Sequence, residues 1–186
     1  MLIHMGLDVG STPVNLVILD EKLNILYKTY RRHFSDVRKT VKDVINEVYN
    51  DFKYDTVTVN VTGSGGLSVH EFLGINFIQE VVAGREAISC FIPKTDVAIE
   101  LGGEDSKITY LRGSVEQRMN SICAGGTGAF IDQMASLLQT DASGLNEMAK
   151  DYKKLYPIAS RCGVFAKTDV QALINQGASK SDIAIS

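Results

Sequence analysis

Two stretches of the chain share one plan: an apolar strand, a glycine turn with an adjacent carboxylate, and a second apolar strand. The first stretch reads GLDVGSTPVNLVILD and the second reads AIELGGEDSKITYLRG. Because glycine lets the backbone turn tightly, each stretch predicts an antiparallel hairpin whose turn points several N–H groups in one direction. The turn residues and their carboxylates are Asp8, Gly10, Ser11, Thr12, Gly102, Gly103, Glu104 and Asp105.

These two turns together favour phosphate binding, although either one alone is more typical of a plain connecting turn. The hydroxyl groups of Ser11 and Thr12 can donate hydrogen bonds to phosphate oxygens. Asp8 is suited to holding Mg²⁺ through water. Two such hairpins that face each other would clamp a polyphosphate from both sides. We therefore predict a phosphate site to which both turns contribute.

Hydrophobic periodicity predicts an α/β fold with a mixed central sheet flanked by helices. The predicted order is a three-strand meander, then alternating helices and strands, then three further strands and a run of helices. The first helix follows a cap at Ser35–Asp36 and continues to about Phe52. Later helices are predicted at about Thr127–Leu138 and Ala142–Asp151, with a last pair that begins near Val164 and Ser179.

Composition limits the size of the fold and the class of partner. A chain of 186 residues with 45% hydrophobic residues can form one well-packed domain or two small lobes. Its net charge of −3 argues against non-specific nucleic-acid binding. No apolar run approaches the length of a membrane span, and no export-signal core precedes Asp8. We therefore expect a cytoplasmic protein with no nucleic-acid or membrane partner.

Two of the three cysteines, Cys123 and Cys162, each lie just before a predicted helix. A helix N-terminus favours the thiolate, which is the form that binds metal. Two thiolates cannot complete a four-cysteine site, whereas two copies of the chain in a symmetric dimer can. From spacing alone, buried structural cysteines, metal ligands and a reactive thiol all remain open. Gly126 and Thr127 begin the helix after Cys123, so its positive end can serve both a phosphate and the thiolate.

The remaining cysteine and the histidines are predicted to have no site role. Cys90 is expected on the apolar face of a helix, within the core. His4, His33 and His70 are scattered without metal-ligand spacing and are interpreted as surface or hydrogen-bonded side chains.

The glycine turns DVGST and ELGGEDSK resemble the first and second phosphate motifs of the acetate kinase, sugar kinase, Hsp70 and actin superfamily. Within it, the chain is most similar to the ATP-dependent activators of 2-hydroxyacyl-CoA dehydratases and benzoyl-CoA reductases. The similarity extends to VTGSGG, EVVAGREA, MNSICAGGTGAFIDQMA and RCGVFAKTDVQALINQGASKSDIA, and so to the chain from Gly6 onward. The cysteine segments are much more specific than the phosphate turns.

This resemblance implies a ribonuclease H-like ATPase lobe of the actin and Hsp70 type. It implies ATP or ADP with Mg²⁺ as ligands, with Asp8 and Asp105 handling Mg²⁺ and the attacking water. It also implies that Cys123 and Cys162 of two subunits hold one 4Fe–4S cluster at the axis of a homodimer. The partners would be a CoA-ester dehydratase or reductase and an upstream electron donor such as ferredoxin or flavodoxin.

Three positions depart from the pattern of the activators. Asn15 stands where a lysine is expected, Glu100 where an aspartate is expected, and Glu104 where a glutamine is expected. Losing a cation and gaining a carboxylate near a polyphosphate both weaken anion binding. We therefore expect weaker nucleotide binding and slower hydrolysis than in the activators.

The activators also have a second lobe with an adenosine motif, which this sequence is expected to lack. Residues 1–186 are therefore interpreted as the N-terminal portion of an activase-type ATPase domain, either an excised piece or a truncated product. Two other functions remain open at this point. One is a small-molecule kinase of the same superfamily, and the other is a non-catalytic regulatory or docking module with this fold.

Overall fold

The computed structural model describes residues 2–51, 56–113, 116–120, 123 and 125–186. The chain forms two compact units, Met1–Thr95 and Asp96–Ser186. Within them the strands and helices follow one another in the order that the periodicity predicts.

The first unit is built on a mixed sheet of five strands with the order β3-β2-β1-β4-β5. The meander predicted at the start of the chain is present, because β1 pairs antiparallel with β2, and β2 with β3. The pairings of β1 with β4 and of β4 with β5 are parallel. The strands are β1 Leu2–Val9, β2 Pro13–Asp20, β3 Ile25–Arg32, β4 Thr56–Thr62 and β5 Asn76–Phe77.

Among its described residues the first unit also contains three helices, α1 Val37–Asp51, α2 Gly66–Leu73 and α3 Glu80–Phe91. The first two pack against the sheet. Alternate residues of β1 are buried, and they share one apolar core with Val41, Val44 and Val48 of α1. A carboxylate caps α1 as predicted, since Asp36 Oδ1 accepts a hydrogen bond from the Lys39 N–H at 3.2 Å. The predicted end of this helix at Phe52 lies outside the described residues.

The second unit combines a small antiparallel sheet with four helices. Its three strands pair in the order β6-β7-β8, and they are β6 Val97–Leu101, β7 Ser106–Tyr110 and β8 Glu116–Asn120. The helices are α4 Gly128–Leu137, α5 Ala142–Ala149, α6 Gly163–Asn175 and α7 Lys180–Ile185. Met134, Leu138, Val170 and Ile183 form their shared core.

The predicted core position of Cys90 is wrong, since this side chain on α3 is exposed. The apolar neighbours Val81, Val82 and Phe91 on the same helix are also exposed, and α3 buries no residue. At 3.6 residues per turn these side chains are spread around α3 rather than along one face, so the helical spacing did not identify a buried position for Cys90. In the part of the chain that the structure describes, no helix is long and apolar enough to span a membrane.

Candidate functional site

The first glycine turn joins β1 to β2 and is closed by a hydrogen bond from Gly10 N–H to the Pro13 carbonyl at 3.0 Å. His33, at the end of β3, supports this turn from a buried position. Its Nδ1 accepts from the Ser35 N–H at 3.1 Å, so the ring proton lies on Nε2, which donates to the Gly10 carbonyl at 3.2 Å. The His33 N–H also donates to the Thr12 carbonyl. The sequence left open whether His33 is a surface side chain or a hydrogen-bonded one, and the structure shows that it is hydrogen-bonded. Its role in shaping the first glycine turn was not predicted.

The carboxylate of Asp8 lies at the end of β1 beside this turn. Asn15, its register partner on β2, donates from Nδ2 to Asp8 Oδ2 at 2.8 Å. Gly63 approaches the other oxygen with a φ of +90°, and a side-chain carbon at this position would overlap both Asp8 Oδ1 and the Val9 carbonyl. Asp8 is thus confined between an amide group and a glycine backbone.

The last residue of β4 contributes a second polar atom beside Asp8. Thr62 is the register partner of Asp8 on β4, and its Oγ1 is buried with no hydrogen-bond partner among the described residues. Gly65 N–H donates to the Val9 carbonyl at 2.8 Å and so fixes the loop against the end of β1. A buried hydroxyl of this kind is a usual position for an ordered water or an ion. Among the described residues at this strand end, Asp8 and Thr62 therefore supply oxygen atoms that suit hydrated Mg²⁺.

The second glycine turn joins β6 to β7 and is arranged around the carboxylate of Asp105. A side-chain carbon at Gly102 would lie only 2.5 Å from Asp105 Oδ1, so a larger residue here would displace the Asp105 carboxylate. Asp105 Oδ2 lies 3.4 Å from Nζ of Lys107, whose ammonium also lies 3.5 Å from Glu100 Oε1. Lys107 is buried, and Glu104 is exposed at the surface of the turn.

The second turn also contacts the start of α4. The Gly128 N–H donates to the Gly102 carbonyl at 2.7 Å. Thr127 is fully buried as the N-cap of α4, and its Oγ1 accepts from the Phe130 N–H at 3.3 Å. Predicted site residues from two distant stretches, Gly102 and Thr127, are therefore brought next to each other.

The two cysteine loops meet within the second unit. Cys123 Sγ accepts a hydrogen bond from the Gly125 N–H at 3.4 Å. A side-chain carbon at Gly125 would lie 3.5 Å from that sulfur and 3.0 Å from the backbone nitrogen of Gly163. Gly163 directly follows Cys162, which is the N-cap of α6. The structure thus brings together two segments that lie far apart in sequence.

The two sulfurs differ in accessibility. Cys123 is exposed, and Cys162 is partly buried at the N-cap of α6. Cys162, Gly125 and Gly126 line a cavity of about 470 Å³. Within the described ranges, no cluster of three or more His, Cys, Asp or Glu side chains could hold a metal ion.

Two carboxylates fix the segment between α5 and α6 that leads to Cys162. Asp182 Oδ1 accepts from the N–H groups of Lys153 at 2.6 Å and Lys154 at 2.9 Å, and Asp169 Oδ2 accepts from the Ala159 N–H at 3.0 Å. The Lys153 N–H is the main cause that lowers the pKa of Asp182, followed by the Lys154 N–H and by Ser179.

Comparisons with known proteins identify the family of this chain. Residues 5–185 match the profile of the BadF/BadG/BcrA/BcrD ATPase family. The (R)-2-hydroxyglutaryl-CoA dehydratase activating ATPase of Acidaminococcus fermentans is 29% identical over 184 residues, which are 96% of this chain and 70% of that protein. The 2-hydroxyisocaproyl-CoA dehydratase activator of Clostridioides difficile is 29% identical over 185 residues, which are 96% of this chain and 68% of the activator.

Similarity to solved structures leads to the same family. The Clostridium difficile activator of 2-hydroxyisocaproyl-CoA dehydratase, solved with bound ADPNP, superposes with a TM-score of 0.85 at 28% identity. That superposition covers 98% of this chain and 69% of the activator. The predicted α/β fold of the actin-like ATPases is therefore confirmed, as is the resemblance to the activators. The chain belongs to the BadF/BadG/BcrA/BcrD ATPase family.

Proposed function

We propose that this protein is an ATP-dependent activator that donates electrons to a CoA-ester dehydratase or reductase through a 4Fe–4S cluster shared by two copies of the chain. Membership of the ATPase family and the activator relatives support this function. The observation that carries it is the meeting of the Cys123 and Cys162 loops, next to a helix that also contacts a glycine turn. An ordinary nucleotide-binding domain has no need for two cysteine-bearing loops whose glycines are in contact.

The nucleotide is proposed to be ATP or ADP with Mg²⁺. In this proposal the turn of Gly10, Ser11 and Thr12 and the turn of Gly102 and Gly103 bind phosphate oxygens, with Gly126 and Thr127 nearby at the start of α4. Asp8 and Asp105 orient Mg²⁺ and the attacking water, because their carboxylates are already fixed by Asn15 and Lys107. The exposed Glu104 adds negative charge at the second turn, so we expect nucleotide binding to depend strongly on Mg²⁺.

Each chain is proposed to supply two of the four thiolates. When bound, the cluster supplies one-electron transfer, with a ferredoxin or flavodoxin as the electron donor. The chain's own contribution is to hold both cysteines in position. The Gly125 N–H donates a hydrogen bond to Cys123 Sγ, and Cys162 is held as the N-cap residue of α6.

A continuous run of backbone contacts is proposed to couple the nucleotide to the thiols. The Gly102 carbonyl binds the Gly128 N–H at the start of α4, and Gly125 three residues earlier touches Gly163. Because these contacts involve backbone atoms rather than flexible side chains, a shift of the second turn moves both cysteine loops. Nucleotide-dependent changes in cluster exposure follow from this connection.

Anaerobic iron–sulfur reconstitution tests the cluster, with iron content and visible absorbance as measurements. We expect about four irons per dimer for the wild type. Cys123→Ala and Cys162→Ala should each lose the cluster, while Cys90→Ala should keep it, because Cys90 is an exposed cysteine in the other unit. Normal reconstitution of either Cys123→Ala or Cys162→Ala would exclude the proposed ligand set.

A second candidate is a non-catalytic docking module, which the neutral Asn15 at the first turn favours. Titration calorimetry with Mg·ADP separates the two functions. Binding that requires Mg²⁺ supports the activator, and no heat of binding at millimolar nucleotide supports the docking module. Transfer of the terminal phosphoryl group to a sugar or carboxylate would instead identify a small-molecule kinase.

A further inference from the structure

Lys107 is a buried cation beside the second glycine turn. Its side chain is only 9% exposed. Lysine is rarely buried to this extent unless its ammonium is paired, because desolvation disfavours the charge. The ammonium lies between Glu100 on β6, 3.5 Å away, and Asp105 in the turn, 3.4 Å away.

The two hairpins show why this position matters. Glu100 pairs in register with Lys107, as Asp8 pairs with Asn15, so Lys107 and Asn15 occupy equivalent positions in their hairpins. Asn15 reaches its register partner, Asp8. Lys107 reaches its register partner and also the carboxylate within the turn, so it acts on two anions at once.

The carboxylate of Asp105 is confined from two sides. Its Oδ2 faces the Lys107 ammonium, and its Oδ1 lies against Gly102, where a side-chain carbon would displace the carboxylate. Without the ammonium, Glu100 and Asp105 would be two like charges at one turn, and their repulsion would turn the Asp105 carboxylate away from its present orientation.

We propose that Lys107 is a positioning residue for Asp105: its buried ammonium fixes the orientation of the carboxylate that orients Mg²⁺ and water during ATP hydrolysis. This role rests on the proposed function of Asp105. Lys107 acts through Asp105 and not on the nucleotide. Its loss should therefore reduce kcat much more than it changes the KM for ATP.

Steady-state ATP hydrolysis at saturating Mg²⁺ tests this role with Lys107→Met, Asp105→Asn and the double variant. We expect kcat of Lys107→Met to fall by about 30-fold or more, with KM within about 3-fold of wild type. The double variant should be no slower than Asp105→Asn alone, since both changes disable the same group. Lys28→Met is the matched control, because it removes an exposed lysine from β3, and it should hydrolyse ATP like the wild type.

The outcomes separate this role from the proposed function. A wild type that neither binds Mg·ADP nor hydrolyses ATP would overturn both. A wild type that hydrolyses ATP, together with Lys107→Met that raises KM at unchanged kcat, would overturn only the positioning role. If Lys107→Met does not fold, Glu100→Gln/Lys107→Met removes one charge of each sign and should still show a reduced kcat, because Asp105 Oδ2 loses the ammonium that faces it.

Discussion

The two glycine hairpins have the same register and the same turn length, but different forces hold them in place. In β1 the alternate residues Ile3, Leu7 and Val9 are at most 2% exposed. In β6 the apolar residues Val97, Ile99 and Leu101 are between 41% and 70% exposed. The first hairpin is therefore held by an apolar core, and the second by polar and backbone contacts.

Strand pairing explains part of this difference. β1 has β2 on one side and β4 on the other, whereas β6 pairs only with β7 among the described residues. The carbonyl of the first turn glycine is held by a side chain, His33, and that of the second by the backbone of Gly128. A turn held by a helix start can respond to changes in that helix, while a turn anchored in a core is rigid.

The largest effect is expected from core truncation in the first hairpin. Leu7→Ala removes a fully buried side chain and should lower the free energy of unfolding by about 3 kcal/mol, because a cavity remains. Ile99→Ala is the matched change at the equivalent register position of the second hairpin, and because Ile99 is exposed it should cost less than about 1 kcal/mol. Urea denaturation measures both. Equal losses would mean that another surface covers β6 in solution.

Local patterns predicted most of the elements in both units. Alternation in β1 and the spacing of Val41, Val44 and Val48 reflect burial on one face, which periodicity reports directly. The start of α4 after Thr127 also followed from the sequence, since an N-cap is a local signal.

Contacts between distant residues could not be predicted in this way. His33 lies 23 residues from Gly10, and nothing in its own strand pattern indicates that partner. Lys107 occurs in an ordinary strand, and its burial depends on the carboxylates of a neighbouring strand and turn. Cys90 shows the reverse case, because local spacing predicted its helix but placed its exposed side chain in the core.

An intermediate effect is expected where backbones touch in the second unit. Gly163→Ala places a methyl group about 3.1 Å from Gly125 Cα and 3.2 Å from the Phe130 ring, which forces the cysteine loops apart. We expect a loss of about 1 kcal/mol in stability and less than half of the wild-type iron after reconstitution.

Gly84→Ala on α3 is the control, since a methyl group there meets no atom within 4 Å. It should be neutral or slightly stabilising. Full iron content in Gly163→Ala would show that this contact does not set the spacing of the thiols.

The smallest effect concerns the polar contact that fixes the segment before Cys162. Backbone N–H groups lower the pKa of Asp182 below its usual 3.8, so folding favours the ionised form. The stability that this carboxylate provides is therefore complete above pH 3.8 and is lost as the pH falls through the lower pKa of the folded state. Asp182→Asn should destabilise the protein at pH 6 and flatten the decline of its melting temperature between pH 5 and pH 2.

In the first unit, Arg31 lowers the pKa of Glu47 in the same sense, but both side chains are more than one third exposed. Glu47→Gln should therefore flatten the profile less, and mainly at low salt. If Glu47→Gln flattened the pH profile more than Asp182→Asn, the conclusion that polar contacts contribute more to the second unit than to the first would be wrong.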